Sequence, residues 1–243
     1  LTFSTKVKCI PANAFKSSTI NTIVIPEGVT EIGDNAFFES HISTVDIPST
    51  VVTLGKDSFR NCDKLTVANV NSSWAIPEGM FYNCDYLTTV NIGDCVTSIG
   101  YQSFYNCDHL VTVNIGDGVK SIGNYAFYDC DNLDNVKFNT ALKSIGANAF
   151  AYCDRLTSIE FNDGLESIGK WAFRGCDNLT EAILPDSVTS IGCSAFRYCD
   201  RLESVKIPAG LSTIEFATFA SCTALTNIEF SDTLTTIGRY AFA

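Results

Sequence analysis

Histidine is nearly absent from this chain, with two residues in 243, and cations are few: 16 Lys and Arg face 27 Asp and Glu, for a net charge of −11. That balance argues against nucleic acid and anionic membranes as partners, because both select cationic surfaces. No stretch approaches the ~18 apolar residues that cross a bilayer, so no membrane insertion by this segment is expected. Signal-peptide patterning is missing, as is an atypical capping unit at either end. The chain opens at Leu1 and stops at Ala243 in mid-pattern, and we read it as an excerpt of a longer protein. Gly-x-Ser-x-Gly, P-loop, His-Glu-x-x-His and Cys-His signatures are all lacking. Catalysis needs converging groups, and none is legible, so neither an enzyme nor a cofactor is expected in this segment.

What the chain has in abundance is rhythm. Phe15, Phe37, Phe59, Phe81, Phe104, Phe127, Phe150, Phe173, Phe196, Phe219 and Phe242 are separated by 22 residues three times and then by 23. A fixed period of this length marks a solenoid, whose coils bury their apolar sides only by stacking on one another. Five residues before each Phe stands a branched aliphatic, as in Ile99, Ile122 and Ile145. Such columns let each side chain pack on its own copy in the next coil.

Within one coil, the alternation Val113-x-Ile115 predicts a short strand with one buried face. Stacked strands make a parallel sheet with rungs about 4.8 Å apart. A second extended piece, Val119–Ile122, ends at Gly123, where a turn or a close approach to the next coil excludes a Cβ. Ala126–Tyr128 is expected to form one turn of α or 3₁₀ helix. The period falters around Phe15 and Phe37, where Ser18 and Ser40 replace Cys, and again between Phe59 and Phe81. Irregularity is expected at residues 69–80, with Trp74 in the column otherwise held by Val or Leu.

The phrase Leu110-x-x-Val113-x-Ile115-x-x-x-Val119-x-x-Ile122-Gly123-x-x-Ala126-Phe127-x-x-Cys130-x-x-Leu133 closely resembles the BspA-like, or Treponema-type, leucine-rich repeat. The resemblance covers essentially the whole chain and departs only where the Cys column is missing at the start. It implies a right-handed leucine-rich repeat solenoid of about eleven coils, 22–23 residues each, occupying residues 1–243 as one domain with a parallel β-sheet on the concave face. It also implies an extracellular or cell-surface protein of bacteria or protozoa that adheres to host or matrix proteins.

Eight cysteines, from Cys62 to Cys222, form one column. Parallel Cα–Cβ vectors one rung apart keep the sulfurs too far apart for a disulfide, and a straight row cannot make a tetrahedral zinc site. These residues are expected to be small, buried, weak thiol donors, and Cys9, Cys95 and Cys193 to be free as well. Asp63, Asp85, Asp108, Asp131, Asp154, Asp177 and Asp200 each follow a column Cys. Their carboxylates either accept backbone N–H groups in Asx-type turns or form a calcium ladder, and the first reading is preferred. His41 and His109 lie three turns apart, roughly 15 Å on the rung spacing, and cannot share a site.

Two exposed strand columns are the candidate binding face. One, running through Thr112, Asn135, Ser158, Glu181, Ser204 and Asn227, is small and mostly polar. The other, through Asn91, Asn114, Lys137, Glu160, Ile183, Lys206 and Glu229, changes charge and size from coil to coil. Core packing does not dictate that variation, so specificity could sit there; a merely solvated face is the alternative. Tyr82, Tyr105, Tyr128, Tyr152, Arg174, Arg197 and Tyr198 either anchor a partner or cover the edge of the core. The leading expectation is a non-catalytic module that binds an unidentified protein or glycoprotein. Its rivals are the targeting arm of a larger secreted protease or glycan hydrolase, and a structural stalk that self-associates through open repeat ends.

Overall fold

Stacked phenylalanine rings form the axis of the molecule. The computed structural model describes residues 3–4, 6–72 and 74–243. From Phe15 to Phe242 the eleven rings make ten near-parallel interfaces, with centroids 4.9–5.5 Å apart and planes within 18°. Offset stacking of this kind suits the aromatic quadrupole. Eleven rings bound ten intervals, so the solenoid makes about ten full turns.

Each coil contributes two extended pieces. On the face, Thr44–Ile47, Val67–Val70, Thr89–Ile92 and Thr112–Ile115 pair in parallel and in register. Asn135–Lys137 pairs with Ser158–Glu160 alone. Glu181–Ile183, Ser204–Lys206 and Asn227–Glu229 form a third group. Pairing thus lapses on both sides of the two strands followed by an inward Phe. Phe138 and Phe161 stand where their neighbours have Ile115 or Leu184, and their rings lie edge-on to Phe150 and Phe173. The larger rings need room that an unbroken ladder does not leave. Phe230, whose ring is half exposed, has no such effect on its strand.

The second extended piece is only two residues long, as in Ser121–Ile122 and Ser144–Ile145. Its row is interrupted at Ile76, which keeps a single bridge to Ile99. There the structure corrects the placement of Trp74. Its carbonyl accepts the Thr97 N–H, putting it in register with exposed Thr97, and the ring is 62% exposed. The missing residue falls in the turn after Val70, so Trp74 slips one place beyond the core column. Ser73 lies outside the described residues.

No helix forms at the Phe corner, contrary to expectation. Non-glycine residues two before and two after Phe take positive φ, such as Tyr125 (57°) and Asp129 (60°). Left-handed residues cannot propagate a helix. Instead the N–H groups of Tyr125, Phe127 and Asp129 donate to Ala147, Ala149 and Ala151 of the next coil, while Ala126 and Tyr128 close turns at home. The corner is therefore a third hydrogen-bonded ladder between coils.

The cysteine column behaves as its geometry requires. All eleven thiols are free, and each column thiol donates to the Phe carbonyl of the preceding coil, as Cys130 does to Phe104 at 3.2 Å. Burial pushes the Cys62 thiol up to about 11, which keeps it neutral and donating at pH 7. Cys130→Ala is expected to cost about 1–2 kcal/mol, from the lost packing and the orphaned carbonyl. Cys130→Ser should cost less, since Ser40 fills the same column. Reductant should leave the thermal midpoint of the parent protein unchanged; a drop would reveal a disulfide.

Candidate functional site

The register brings both predicted face columns into line. Asn135 lies opposite Ser158, Lys137 opposite Glu160, Glu181 opposite Ser204, and Ile183 opposite Lys206, followed by Glu229. Asn114, Asn135, Lys137, Ser158, Glu160, Glu181, Ile183, Lys206 and Glu229 are exposed, and Asn91 is half-buried. The face is not uniform along its length. Toward the N-terminal side it is uncharged after Asp46, toward the C-terminal side charged and amphipathic.

The uncharged part is a side-chain hydrogen-bond ladder. Asn69 Nδ2 donates to Asp46 Oδ1, Asn91 Nδ2 to Asn69 Oδ1 at 2.6 Å, and Asn114 Nδ2 to Asn91 Oδ1 at 2.6 Å. In the charged part Lys137 pairs with Glu160 at 3.0 Å, and Lys206 approaches Asp186 at 3.7 Å. Both are exposed pairs, worth little to stability. Two depressions mark the face. Glu181, Ile183, Lys206 and Glu229 come together around one of about 140 Å³. Asn114, Asp117 and Lys137 meet at another of about 230 Å³, at the first lapse in strand pairing. The run of asparagines in one column was a readable sign of the ladder, because identical amides one rung apart bond to each other. Asp117 carried no such sign.

Apart from Tyr198, which is exposed, the tyrosines and arginines form a half-buried stack. Tyr82, Tyr105 and Tyr128 lie ring on ring at 4.8 Å, and the Arg60 guanidinium sits 4.0 Å from the Tyr82 centroid. Tyr152 meets Tyr128 edge-on, and Arg174 lies over Tyr152. Spending their faces on one another, these rings cover the corner.

The aspartate column departs from the Asx expectation. Among the described residues its carboxylates accept no backbone N–H; the main-chain carbonyls do the bonding, Asp131 to Arg155 and Asp177 to Arg201 in the next coil. His109 lies over Tyr86, with Nδ1 2.7 Å from the Asp85 carbonyl oxygen. Burial, then neighbouring aspartates, raise the carboxyl groups of Asp108, Asp154 and Asp177 above the ordinary 3.8. The folded state therefore holds these protons more tightly than the unfolded chain. Their contribution is complete below the unfolded value and is lost as pH rises through the folded ones. Asp108→Asn with Asp154→Asn should thus stabilise at pH 7.5, and the gap from the parent should shrink by pH 4.5. Urea midpoints at the two pH values measure it, and a constant gap would refute the strain.

With that geometry in hand, the likenesses to other proteins are informative. A family model described as the BspA type leucine rich repeat region (6 copies) matches residues 1–75, 74–201 and 143–243. No curated protein matches the chain. A leucine-rich repeat protein from Bacteroides ovatus is similar over 98% of this chain and 68% of its own, at 25% identity and a TM-score of 0.78. A leucine rich cell surface protein from Faecalibacterium prausnitzii is similar over 95% of this chain and 87% of its own, at 26% identity and a TM-score of 0.50. The T. pallidum leucine rich repeat protein, 24% identical over 85% of this chain and 76% of its own, shares the fold at a TM-score of 0.53.

Proposed function

The chain belongs to the BspA type leucine-rich repeat family, and on that premise we propose that it is a non-catalytic recognition module, displayed outside the cell, that binds a protein or glycoprotein through its strand face. The observation that carries this reading is the contrast between two neighbouring columns in one register. The residues facing inward from the strands are nearly constant in type, while the column through Lys137, Glu160, Ile183, Lys206 and Glu229 alternates charge and includes an isoleucine 58% exposed. A large apolar side chain flanked by charges is the composition of a binding anchor with a polar rim. The description of the Faecalibacterium relative as a cell surface protein supports display outside the cell.

The reading is tested by titrating the protein against immobilised matrix glycoproteins. A Lys137→Glu, Glu160→Lys, Lys206→Glu triple variant is compared with Thr97→Lys, Lys120→Glu, at exposed positions just before the second strand row. The face variant should lose at least about tenfold in affinity, or 1.4 kcal/mol, for any partner the parent holds, and the other variant should not. Equal binding by parent and face variant across the panel would overturn it.

A further inference from the structure

The asparagine ladder has a direction, and it ends at an open acceptor. Each amide donates toward Asp46, so the Oδ1 atoms of Asp46, Asn69 and Asn91 each accept from the coil that follows. Asn114 is last, and its Oδ1 accepts nothing among the described residues. Lys137, the next residue in the column, turns instead to Glu160. Hydrogen bonds in series polarise one another, so an anchoring carboxylate at one end leaves the terminal carbonyl oxygen richer in electrons.

Strand pairing lapses at this same point, and the lapse opens the depression of about 230 Å³ lined by Val113, Asn114, Ile115, Lys137, Phe138 and their neighbours Asp117 and Asn139. Asn139 has no polar atom to spare: Nδ2 donates to the Gly116 and Val119 carbonyls, and Oδ1 accepts the Ala141 and Leu142 N–H groups. Asp117 is fixed through its own N–H, bonded to Asp94 Oδ1 at 3.0 Å, and its carboxylate is unpartnered among the described residues. What remains for a ligand is Asn114 Oδ1, the Asp117 carboxylate, the Lys137 N–H groups not turned to Glu160, and the half-buried side chain of Ile115, with Phe138 buried beneath.

We propose that this depression binds a single neutral sugar ring, the terminal unit of a glycan. A cationic group would meet Lys137 and an anionic one Asp117, so the mixed lining disfavours ions of either sign. Neighbouring hydroxyls each donate and accept, which lets one ring donate to Asn114 and Asp117 and accept from Lys137. The C–H face of a pyranose covers the Ile115 side chain. The volume lies below the 300–1,000 Å³ usual for drug-sized ligands, which suits one ring rather than a chain. This inference rests on the face being a recognition surface and names the ligand class for one part of it.

The test is ligand-observed NMR titration of the protein with methyl glycosides of glucose, galactose and mannose, with methyl N-acetylglucosaminide, and with methylammonium and acetate. At least one glycoside should bind in the millimolar range, and Asn114→Leu and Asp117→Ala should each weaken it by about tenfold, the scale of a lost hydrogen bond to a polarised or charged acceptor. Thr97→Lys, at an exposed position away from the face, should leave it unchanged, and thermal melts confirm that each variant folds. Saturation by no glycoside, binding untouched by both variants, or binding of an ion instead would each overturn the proposal. If the glycosides fail while the face charge reversals still abolish glycoprotein binding, the sugar site falls and the recognition face stands.

Discussion

Phe127→Ala is expected to destabilise the protein by about 4 kcal/mol, the middle of the range for emptying a fully buried aromatic site. The ring has no exposed surface, lies 5.0 Å from Phe104 and 5.1 Å from Phe150, and is nearly parallel to both. Removing it opens a void and breaks two stacks at once. Coils touch only their neighbours, so stability is a sum of local and interface terms. A cut in the middle should therefore uncouple the two halves as well as weaken them. Trp74 and Trp171 lie on opposite sides of the cut. Single-tryptophan versions of the variant should report two separate urea transitions where the parent reports one. Phe242→Ala, at the half-buried end of the column, should cost less than half as much. Equal costs at the two positions would refute the column as the cooperative axis.

Gly146→Ala is the second large effect, at about 3 kcal/mol or more, the upper part of the cost of overpacking. The backbone there is not left-handed, so alanine is conformationally acceptable. The obstacle is the preceding coil: an added Cβ would stand 2.6 Å from the Asn124 nitrogen and 2.6 Å from the Gly123 carbonyl carbon. Main chain cannot step aside as a side chain can. Gly164→Ala, whose nearest neighbour would be the Asn162 amide nitrogen at 3.1 Å, should cost less than half as much. Chemical denaturation of both variants decides the matter, and similar midpoints would show that the coils have slack to give.

These two residues also mark how far the fold could be read in advance. Phe127, Ile122, Cys130 and Gly146 belong to columns, and a column announces itself because stacking demands the same shape in every coil. The corner was harder. Its left-handed positions were written in Asn35, Asn61, Asn83, Asn106 and Asp129, types that tolerate positive φ, but Tyr125 and Trp171 at equivalent places blurred the sign. Trp74 was misplaced because one missing residue can be charged to either side of a turn, and only hydrogen bonding decides. The lapses in strand pairing come from an Ile-to-Phe difference in volume, which a hydropathy pattern does not register. At the face, the exposed columns followed from alternation alone. The free oxygen of Asn114 did not, because it depends on the direction in which three amide side chains donate.

The corner ladder has one more consequence, for how such a protein changes over generations. Its bonds join main chain to main chain, from one coil to the next, and the thiol bonds join a side chain to the main chain one coil back. Neither asks what residue stands on the outer surface. A duplication of Tyr105–Phe127 would thus meet, above and below, the partners its parent already met. Whole coils can be gained or lost like links in a watch strap, each adding about 5 Å of face, and each new link arrives with an outer column free to drift. Length and specificity become separately heritable traits.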